Sequence, residues 1–251
     1  MATIMVLDAG HGGYDMGAVY GERREKDDTL RLTLAVGERL REAGYEVVYT
    51  RTADVYQSPF EKAQIANQSQ ADYFISFHRN SGPMPNAYQG VESLVFSETD
   101  AITNGIAKDI NGQLEKVGFQ NLGVEARPNL VVLRKTNMPA VLVEVGFLNS
   151  DQDNRLFDEK FTQIVEAIAD GIMEAVPMDN GGYAVQIGLF KYESNADYQM
   201  ELAKDAGFDA EITYEEPYYA VRIPVGESLD KATRVQAKLK KMGFDTLIVS
   251  K

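Results

Sequence analysis

VLDAGHGGYD, residues 6–15, is the stretch that decides the fold. The apolar run at residues 3–7 predicts a buried β-strand, and the glycines after it place His11 in a tight loop at the carboxyl end of that strand. Open α/β sheets keep their chemistry at this end of their strands. The second of only two histidines, His78, also follows an apolar run, at residues 73–77. We therefore expect both imidazoles at one sheet edge, where they suggest a metal site.

Helical and strand patterns alternate over about the first 176 residues. The pattern predicts helices over residues 30–43, 59–69, 102–117 and 156–172, and further strands over residues 45–50, 91–96, 130–133 and 140–145. The second helix has the clearest start, because Ser58 can cap it, Pro59 suits its first position and Glu61 completes a capping box. Such alternation predicts an α/β fold, with a mostly parallel twisted sheet and helices on both faces.

A second, smaller domain follows a glycine-rich linker at residues 178–182. After the linker the sequence repeats with a period of 36 residues: YAVQI at 183–187 matches YAVRI at 219–223, and GFD recurs at 207–209 and 243–245. Each copy reads as strand, helix and strand, so the pair predicts a βαββαβ α+β domain. The expected organisation is a catalytic domain at residues 1–177, the linker, and the repeat domain at residues 183–251.

Composition excludes several classes of function. The net charge of -13 argues against nucleic-acid binding, which needs a basic surface. No apolar run approaches the roughly 18 residues of a membrane helix, so we expect no membrane insertion. No secretory signal is visible at the N-terminus. Because the chain has no cysteine, any metal must bind to nitrogen and oxygen ligands.

A catalytic zinc ion usually has three protein ligands and one open position. His11 and His78 would supply two of them, so a carboxylate must be the third. Glu25 is the best candidate because it lies a turn before the first predicted helix, which follows directly from the His11 loop. Glu22 is its nearest rival.

Glu144 is the candidate catalytic base. It is the only charged residue in the apolar strand predicted at residues 140–145. Burial of a carboxylate costs several kcal/mol unless a partner or a metal is near. The alternative is a structural role, in which Glu144 pairs with Arg134.

These segments resemble the zinc-dependent N-acetylmuramoyl-L-alanine amidases, which cut the amide between muramic acid and the stem peptide of peptidoglycan. The matching motifs occur in family order over residues 4–153: DAGHGGYDMGA, EKD, VVYTR, IANQSQADYFISFHRNSG, GVE, VLR and PAVLVEVGFLNSDQD. The resemblance implies that His11, Glu25 and His78 bind one zinc ion and that Glu144 is catalytic. It thereby favours Glu25 over Glu22.

The sequence departs from the family pattern at three positions. Ala9 replaces the usual proline, Lys62 stands where an arginine is common, and Arg79 follows the second histidine in place of a small residue. None of these removes a ligand, but we expect Arg79 to lie beside the site and to affect substrate preference. The segment at residues 82–89 is expected to form part of the rim.

The C-terminal repeat resembles a SPOR domain, a peptidoglycan-binding module, through YAVQIGLF, Ala196, GFDAEI and GFDTLIVSK. The sequence thus predicts a two-domain amidase whose substrate and wall ligand are peptidoglycan: an autolysin, a sporulation mother-cell lysis enzyme or a phage endolysin. Two alternatives are a non-catalytic peptidoglycan-binding protein and an RNA-binding βαββαβ module. The expected place of action is the bacterial cell wall, reached after cell lysis or by a non-classical route.

Overall fold

The computed structural model describes residues 3–177, 182–226 and 228–250. The described residues form two compact units, one on either side of residues 178–181. The predicted linker, apart from Gly182, therefore lies outside the described residues. None of the described helices is both long and apolar enough to cross a membrane.

A six-stranded sheet forms the centre of the N-terminal unit. Its strands are β1 (Ile4–Ala9), β4 (Glu46–Tyr49), β5 (Tyr73–Asn80), β6 (Val91–Val95), β7 (Asn121–Ala126) and β8 (Ala140–Phe147), and a separate two-stranded ribbon contains β2 (Val19–Tyr20) and β3 (Arg23–Arg24). The strand order is β4-β1-β5-β8-β6-β7. The first four strands of this order are parallel, and β6 runs antiparallel to β8 with β7 parallel to β6. The carboxyl ends of β1, β5 and β8 thus meet at one edge.

Helices cover both faces of this sheet, as predicted. They are α1 (Glu25–Glu42), α2 (Pro59–Gln68), α3 (Ala101–Val117), α4 (Val131–Arg134), α5 (Asp151–Glu159) and α6 (Phe161–Ala175). One buried cluster joins apolar side chains of the sheet to α1, α3 and α6. A second cluster, on the other face, joins the sheet to α2 and α4. The predicted capping box of α2 is confirmed, since Ser58 Oγ accepts from the Glu61 amide and the Glu61 carboxylate accepts from the Ser58 amide.

Four elements differ from their predictions. Residues 130–133, predicted as a strand, are instead the N-cap residue and first three residues of α4, because Val132 and Leu133 are buried against the α2 face in a helical turn. Strand β7 was not predicted, although Leu122, Val124 and Ala126 alternate with less apolar residues, because the run is short, contains a glycine and lies only partly buried at the sheet edge. The predicted helix at residues 156–172 is two helices separated at Lys160. Helix α1 begins at Glu25 itself.

The C-terminal unit has the predicted βαββαβ order. Its elements are β9 (Tyr183–Phe190), α7 (Glu193–Asp205), β10 (Glu211–Glu215), β11 (Tyr218–Gly226), α8 (Leu229–Lys241) and β12 (Leu247–Ser250). The four strands form an antiparallel sheet in the order β10-β11-β9-β12. Ala196 of α7 and Ala232 of α8, equivalent positions of the repeat, are both fully buried in the core between sheet and helices. Small side chains there let each helix lie close to the sheet.

Candidate metal centre

Three elements bring His11, Glu25 and His78 together at the carboxyl edge of the sheet. His11 lies in the loop after β1, Glu25 is the first residue of α1, and His78 lies near the end of β5. Glu25 Oε2 is 3.1 Å from His11 Nε2, and Glu25 Oε1 is 2.9 Å from His78 Nδ1. One ligand atom from each of the three residues lies within 4.8 Å of the others. Glu22, the rival carboxylate, is exposed to solvent.

Two glycines make room for this cluster. A Cβ atom at Gly10 would lie 2.5 Å from His78 Cε1, inside the imidazole ring's contact distance. A Cβ atom at Gly17 would lie 2.5 Å from Glu25 Oε2 and 2.6 Å from His11 Cδ2. Gly17 also has a φ of +67°, which L-residues with a side chain rarely adopt. The glycines of the loop therefore allow the ligand side chains to approach each other.

The His11 loop is fixed by buried cations that were not predicted. The Arg51 guanidinium donates to the backbone oxygens of Ala9, Gly10 and Lys26. Lys62 Nζ donates to Asp8 Oδ1 at 2.6 Å and also to the Ala9 oxygen. Arg51 could have been predicted from the sequence to lie near the site, because it directly follows the strand predicted at residues 45–50, which ends at the same edge of the sheet. A loop held on several sides keeps His11 in position.

Asp15 orients the His11 ring. Its Oδ2 lies 2.9 Å from His11 Nδ1, and its Oδ1 accepts from the Gly17 amide. A hydrogen bond of this kind fixes the ring and leaves the other nitrogen, Nε2, directed toward Glu25.

The electrostatics of the cluster favour positive charge. Burial opposes protonation of His11, but the hydrogen bond and charge of Glu25, with help from Asp15, raise the pKa of His11 to about 9. The pKa of His78 is also raised: burial lowers it, and Glu25 outweighs that effect. Burial would raise the pKa of the Glu25 carboxyl, yet both histidines hold it well below its usual range. Two nitrogens and a carboxylate that attract positive charge are a donor set suited to a divalent cation such as zinc.

Glu144 lies beside this donor set. It is paired in register with His78 across β5 and β8, so both side chains lie on the same side of the sheet. Its Oε2 atom is buried and has no hydrogen-bond partner among the described residues. Burial raises the pKa of the Glu144 carboxyl to about 7; the charge of His78 acts against this rise and that of Glu25 adds to it. An ion pair between Glu144 and Arg134 is not found among the described residues.

A pocket of about 260 Å³ opens beside the cluster. His11, Asp15 and His78 line it together with Asp8 and Leu142 of the sheet. Residues at and around the starts of α2 and α4 complete the wall, among them Gln57, Pro59, Leu130 and Val131. A group bound in this pocket would lie against the two imidazoles.

Arg79 adjoins the cluster only through its backbone amide, which donates to Glu25 Oε1 at 3.1 Å, and its side chain lies elsewhere; its effect on substrate preference stays a prediction. Its side chain is fully buried and donates to Asp28 and to Asn154 Oδ1 at 2.8 Å. Neighbouring residues of a strand point to opposite faces, so Arg79 must point away from His78. The same alternation along the strand could have predicted from the sequence that the Arg79 side chain points away from His78.

The segment at residues 82–89, which we predicted to form part of the rim, is held to the end of β8 and to the residues that follow it. Asn149 accepts from the Gly82 amide and donates to the Gly82 oxygen, while Asn86 contacts Asp151. The Tyr88 ring stacks on Phe147 with centroids 5.9 Å apart.

An α/β sheet edge that carries two histidines and a glutamate beside a buried carboxyl is typical of metal-dependent hydrolases. The family described as N-acetylmuramoyl-L-alanine amidase matches residues 5–174, and the SPOR domain matches residues 179–250. The chain therefore belongs to the N-acetylmuramoyl-L-alanine amidase family and has a SPOR domain after the amidase domain.

Curated relatives support this assignment over most of the chain. A sporulation-specific N-acetylmuramoyl-L-alanine amidase of Bacillus subtilis (strain 168) is 35% identical over 213 residues, which cover 81% of this chain and 82% of the relative. An endolysin of Bacillus phage SPP1 is 34% identical over 193 residues, with 73% of this chain and 70% of the endolysin covered.

Solved structures share the amidase fold. The N-acetylmuramoyl-L-alanine amidase from Clostridium difficile 630 is 30% identical with a TM-score of 0.66, and the match covers 70% of this chain and 97% of that structure. The catalytic domain of CwlV from Bacillus (Paenibacillus) polymyxa var. colistinus is 34% identical with a TM-score of 0.63. The match covers 69% of this chain and 98% of that structure.

Proposed function

We propose that the N-terminal unit hydrolyses the amide between N-acetylmuramic acid and L-alanine of peptidoglycan, with one Zn²⁺ held by His11, Glu25 and His78. The observation that carries this proposal is the convergence of these three ligand groups beside the unpartnered Glu144 carboxyl. Membership of the amidase family supports the substrate. Zinc bound there would polarise the amide carbonyl and lower the pKa of water.

Glu144 is the group that transfers the proton in this proposal. Attack by water on the carbonyl carbon requires a base, and departure of the L-alanine nitrogen requires an acid. A buried carboxyl that has no hydrogen-bond partner among the described residues at Oε2 and lies beside the donor set can accept the proton from water and return it to the leaving nitrogen. The hydrogen bond with Asp15 keeps the His11 ring in position as a ligand.

The SPOR domain is proposed to hold the enzyme on glycan strands, so that the amidase domain works at a raised local substrate concentration. This places the action of the protein at the bacterial cell wall. The relatives include both a sporulation-specific amidase and a phage endolysin, and in this proposal the protein reaches the wall through host or mother-cell lysis or by a non-classical route.

The test is to digest purified peptidoglycan with the zinc-loaded full chain and to measure new L-alanine amino termini and new reducing sugar ends. We expect amino termini without reducing ends, loss of the activity with a chelator, and its return with zinc. Appearance of neither end, by a zinc-loaded protein that sediments with the wall, would favour the non-catalytic alternative.

Variants assign the roles of the individual residues. Glu144→Gln should keep one zinc per chain and lose turnover, whereas His78→Ala should lose zinc and activity together. Glu166→Gln, on the exposed side of α6, is the matched control and should change neither. A Glu144→Gln protein with a near-normal rate would contradict the proton-transfer role.

Truncation tests the proposed role of the SPOR domain. Residues 1–177 alone should cleave soluble muropeptides and lose adhesion to intact walls. Equal sedimentation of the full and truncated proteins with walls would argue against a binding role.

A further inference from the structure

Two tyrosine rings stack on each other at the mouth of the candidate site. The Tyr14 and Tyr56 ring centroids are 4.2 Å apart, and the ring planes differ by 27°. Tyr14 is nevertheless 77% exposed and Tyr56 39% exposed. One face of the Tyr14 ring is therefore supported by Tyr56 while its outer face is open to solvent. The mechanism proposed above uses neither ring.

The loops that carry this pair are fixed to each other. Gly12 and Asp15 exchange two backbone hydrogen bonds, of 2.9 and 3.1 Å, which puts Tyr14 at the tip of a tight turn. A Cβ atom at Gly12 would lie 2.2 Å from the Val55 oxygen, so only glycine allows the turn to lie so close to the segment that carries Tyr56. The Asp54 carboxylate also accepts from the Gly13 amide at 2.8 Å.

The stacked pair adjoins the pocket at the metal centre. Asp15, which follows Tyr14, and Gln57, which follows Tyr56, both line the pocket that contains His11. Asp15 also contacts His11 Nδ1 directly. The exposed Tyr14 ring is thus one residue away from the pocket wall, within reach of a substrate part that extends out of the pocket on this side.

We propose that Tyr14, supported by Tyr56, is an aromatic platform that binds a sugar ring of the glycan strand next to the muramoyl residue whose amide is cleaved. This inference rests on the proposed function, since it takes peptidoglycan as the substrate. A sugar ring has an apolar face of C–H groups, and the exposed face of the Tyr14 ring is the matching apolar surface. Because Tyr56 already holds the Tyr14 ring in one orientation, little side-chain freedom is lost on binding.

The charges near the platform favour a neutral sugar over the stem peptide. Lys26 Nζ is 2.6 Å from Asp54 Oδ2 and also donates to the Gly13 oxygen, so its charge is satisfied within the protein. Asp15 is likewise engaged by His11 and the Gly17 amide. A stem-peptide carboxylate would meet the carboxylates of Asp15 and Asp54 there, while the neighbouring Lys26 is already paired, whereas a neutral sugar ring needs no countercharge.

Kinetics with two soluble substrates test the platform in the zinc-loaded full chain. Both substrates carry the same stem peptide, one on a single muramoyl residue and one on a glycan strand of several disaccharide units. Tyr14→Ala should raise KM for the glycan-strand substrate about threefold to tenfold, with kcat and the single-residue substrate unchanged. Tyr14→Phe keeps the ring and should stay within about twofold of the wild type.

Phe96→Ala is the matched control. Phe96 is an exposed aromatic, 47% accessible, and lies with Pro139 and Ala140 at the opposite edge of the same sheet. Its removal should leave KM for both substrates unchanged. An unchanged KM of Tyr14→Ala on the glycan-strand substrate, or an equal rise on both substrates, would overturn the platform.

A binding measurement separates this inference from the proposed function. In the full chain with ¹³C-labelled tyrosine rings, the Tyr14 resonance is assigned by its loss in Tyr14→Phe and followed during titration with a peptide-free glycan strand. A saturable shift of that resonance supports the platform even if no amide is cleaved, in which case the amidase proposal alone fails. No shift at Tyr14, in a protein that cleaves peptidoglycan, rejects the platform alone.

Discussion

Lys62→Met should destabilise the N-terminal unit strongly, because it leaves a buried carboxylate without its cation. Lys62 Nζ and Asp8 Oδ1 are 2.6 Å apart, and the two side chains are only 4% and 1% exposed. Thr50 and Ser76 hydroxyls still donate to Asp8, at 2.6 Å each, but neither supplies positive charge. Breaking such a pair from one side costs about 3–5 kcal/mol. With about 2–4 °C per kcal/mol for a unit of this size, the expected fall in Tm is about 6–20 °C.

The pH dependence gives a sharper test than the size of the loss. In the wild type, burial favours neutral Asp8, but the charge of Lys62 and its hydrogen bonds outweigh burial and lower the pKa of Asp8. That stabilisation is present above the unfolded-state pKa and is lost as the pH falls through the lower, folded-state pKa. In Lys62→Met burial should raise the Asp8 pKa, so stability should decrease as the pH rises. The difference in stability between the wild type and Lys62→Met should therefore increase from about pH 5 to about pH 8.

Calorimetry of the full chain measures both effects. Leu239→Ala, in the core of the C-terminal unit, should move only that unit's transition and so identifies it. The double variant Asp8→Asn/Lys62→Met buries no charge, so it should recover most of the stability and lose the pH dependence. The reasoning would be refuted if the stability difference between the wild type and Lys62→Met were the same at about pH 5 and about pH 8. It would also be refuted by a difference below about 1 kcal/mol, since a lost buried pair costs more than that.

Three further predictions concern the cluster and the fold. Gly17→Ala should lower zinc affinity at least about tenfold in a competition titration, because its Cβ would contact Glu25 and His11; unchanged affinity would show that the loop can move aside. Asp15→Asn should weaken zinc binding about 10- to 100-fold in the same titration, since it removes the carboxylate that orients His11, and normal binding would exclude that role. Ser58→Ala should cost about 1 kcal/mol in urea unfolding, because it removes the capping box of α2, and a loss below a few tenths of that would contradict the cap.

The convergence of His11 and His78 was accessible from sequence because it depends on a local rule. Each histidine ends an apolar run, and parallel neighbouring strands bring such ends to one edge. Strands β1 and β5 are such neighbours. Glu144 follows from the same rule, since β8 is the next strand and places it in register with His78.

The parts that were not predicted depend on long-range contacts or weak local signals. Strand β7 is an edge strand that pairs only with β6 among the described strands. It is only partly buried, so its sequence carries a weaker apolar signal than a central strand. The four apolar residues at 130–133 fit a buried strand and a helical turn equally well, and only the packing against α2 selects the helix. The pairing of Lys62 with Asp8 spans 54 residues, and no local pattern in the sequence predicts it.

The reversed direction of β6 gives the N-terminal unit a site for labels. Val95, near the end of this strand, pairs with Val141 at the start of β8, so the chain leaves β6 at the edge opposite His11, His78 and Glu144. Residues 97–99 follow there, ahead of the Asp100 side chain that caps α3. Surface connections of this kind tolerate insertion. A fluorophore or peptide tag placed before Asp100 would therefore report the position of the protein on a cell wall without entering the substrate's path.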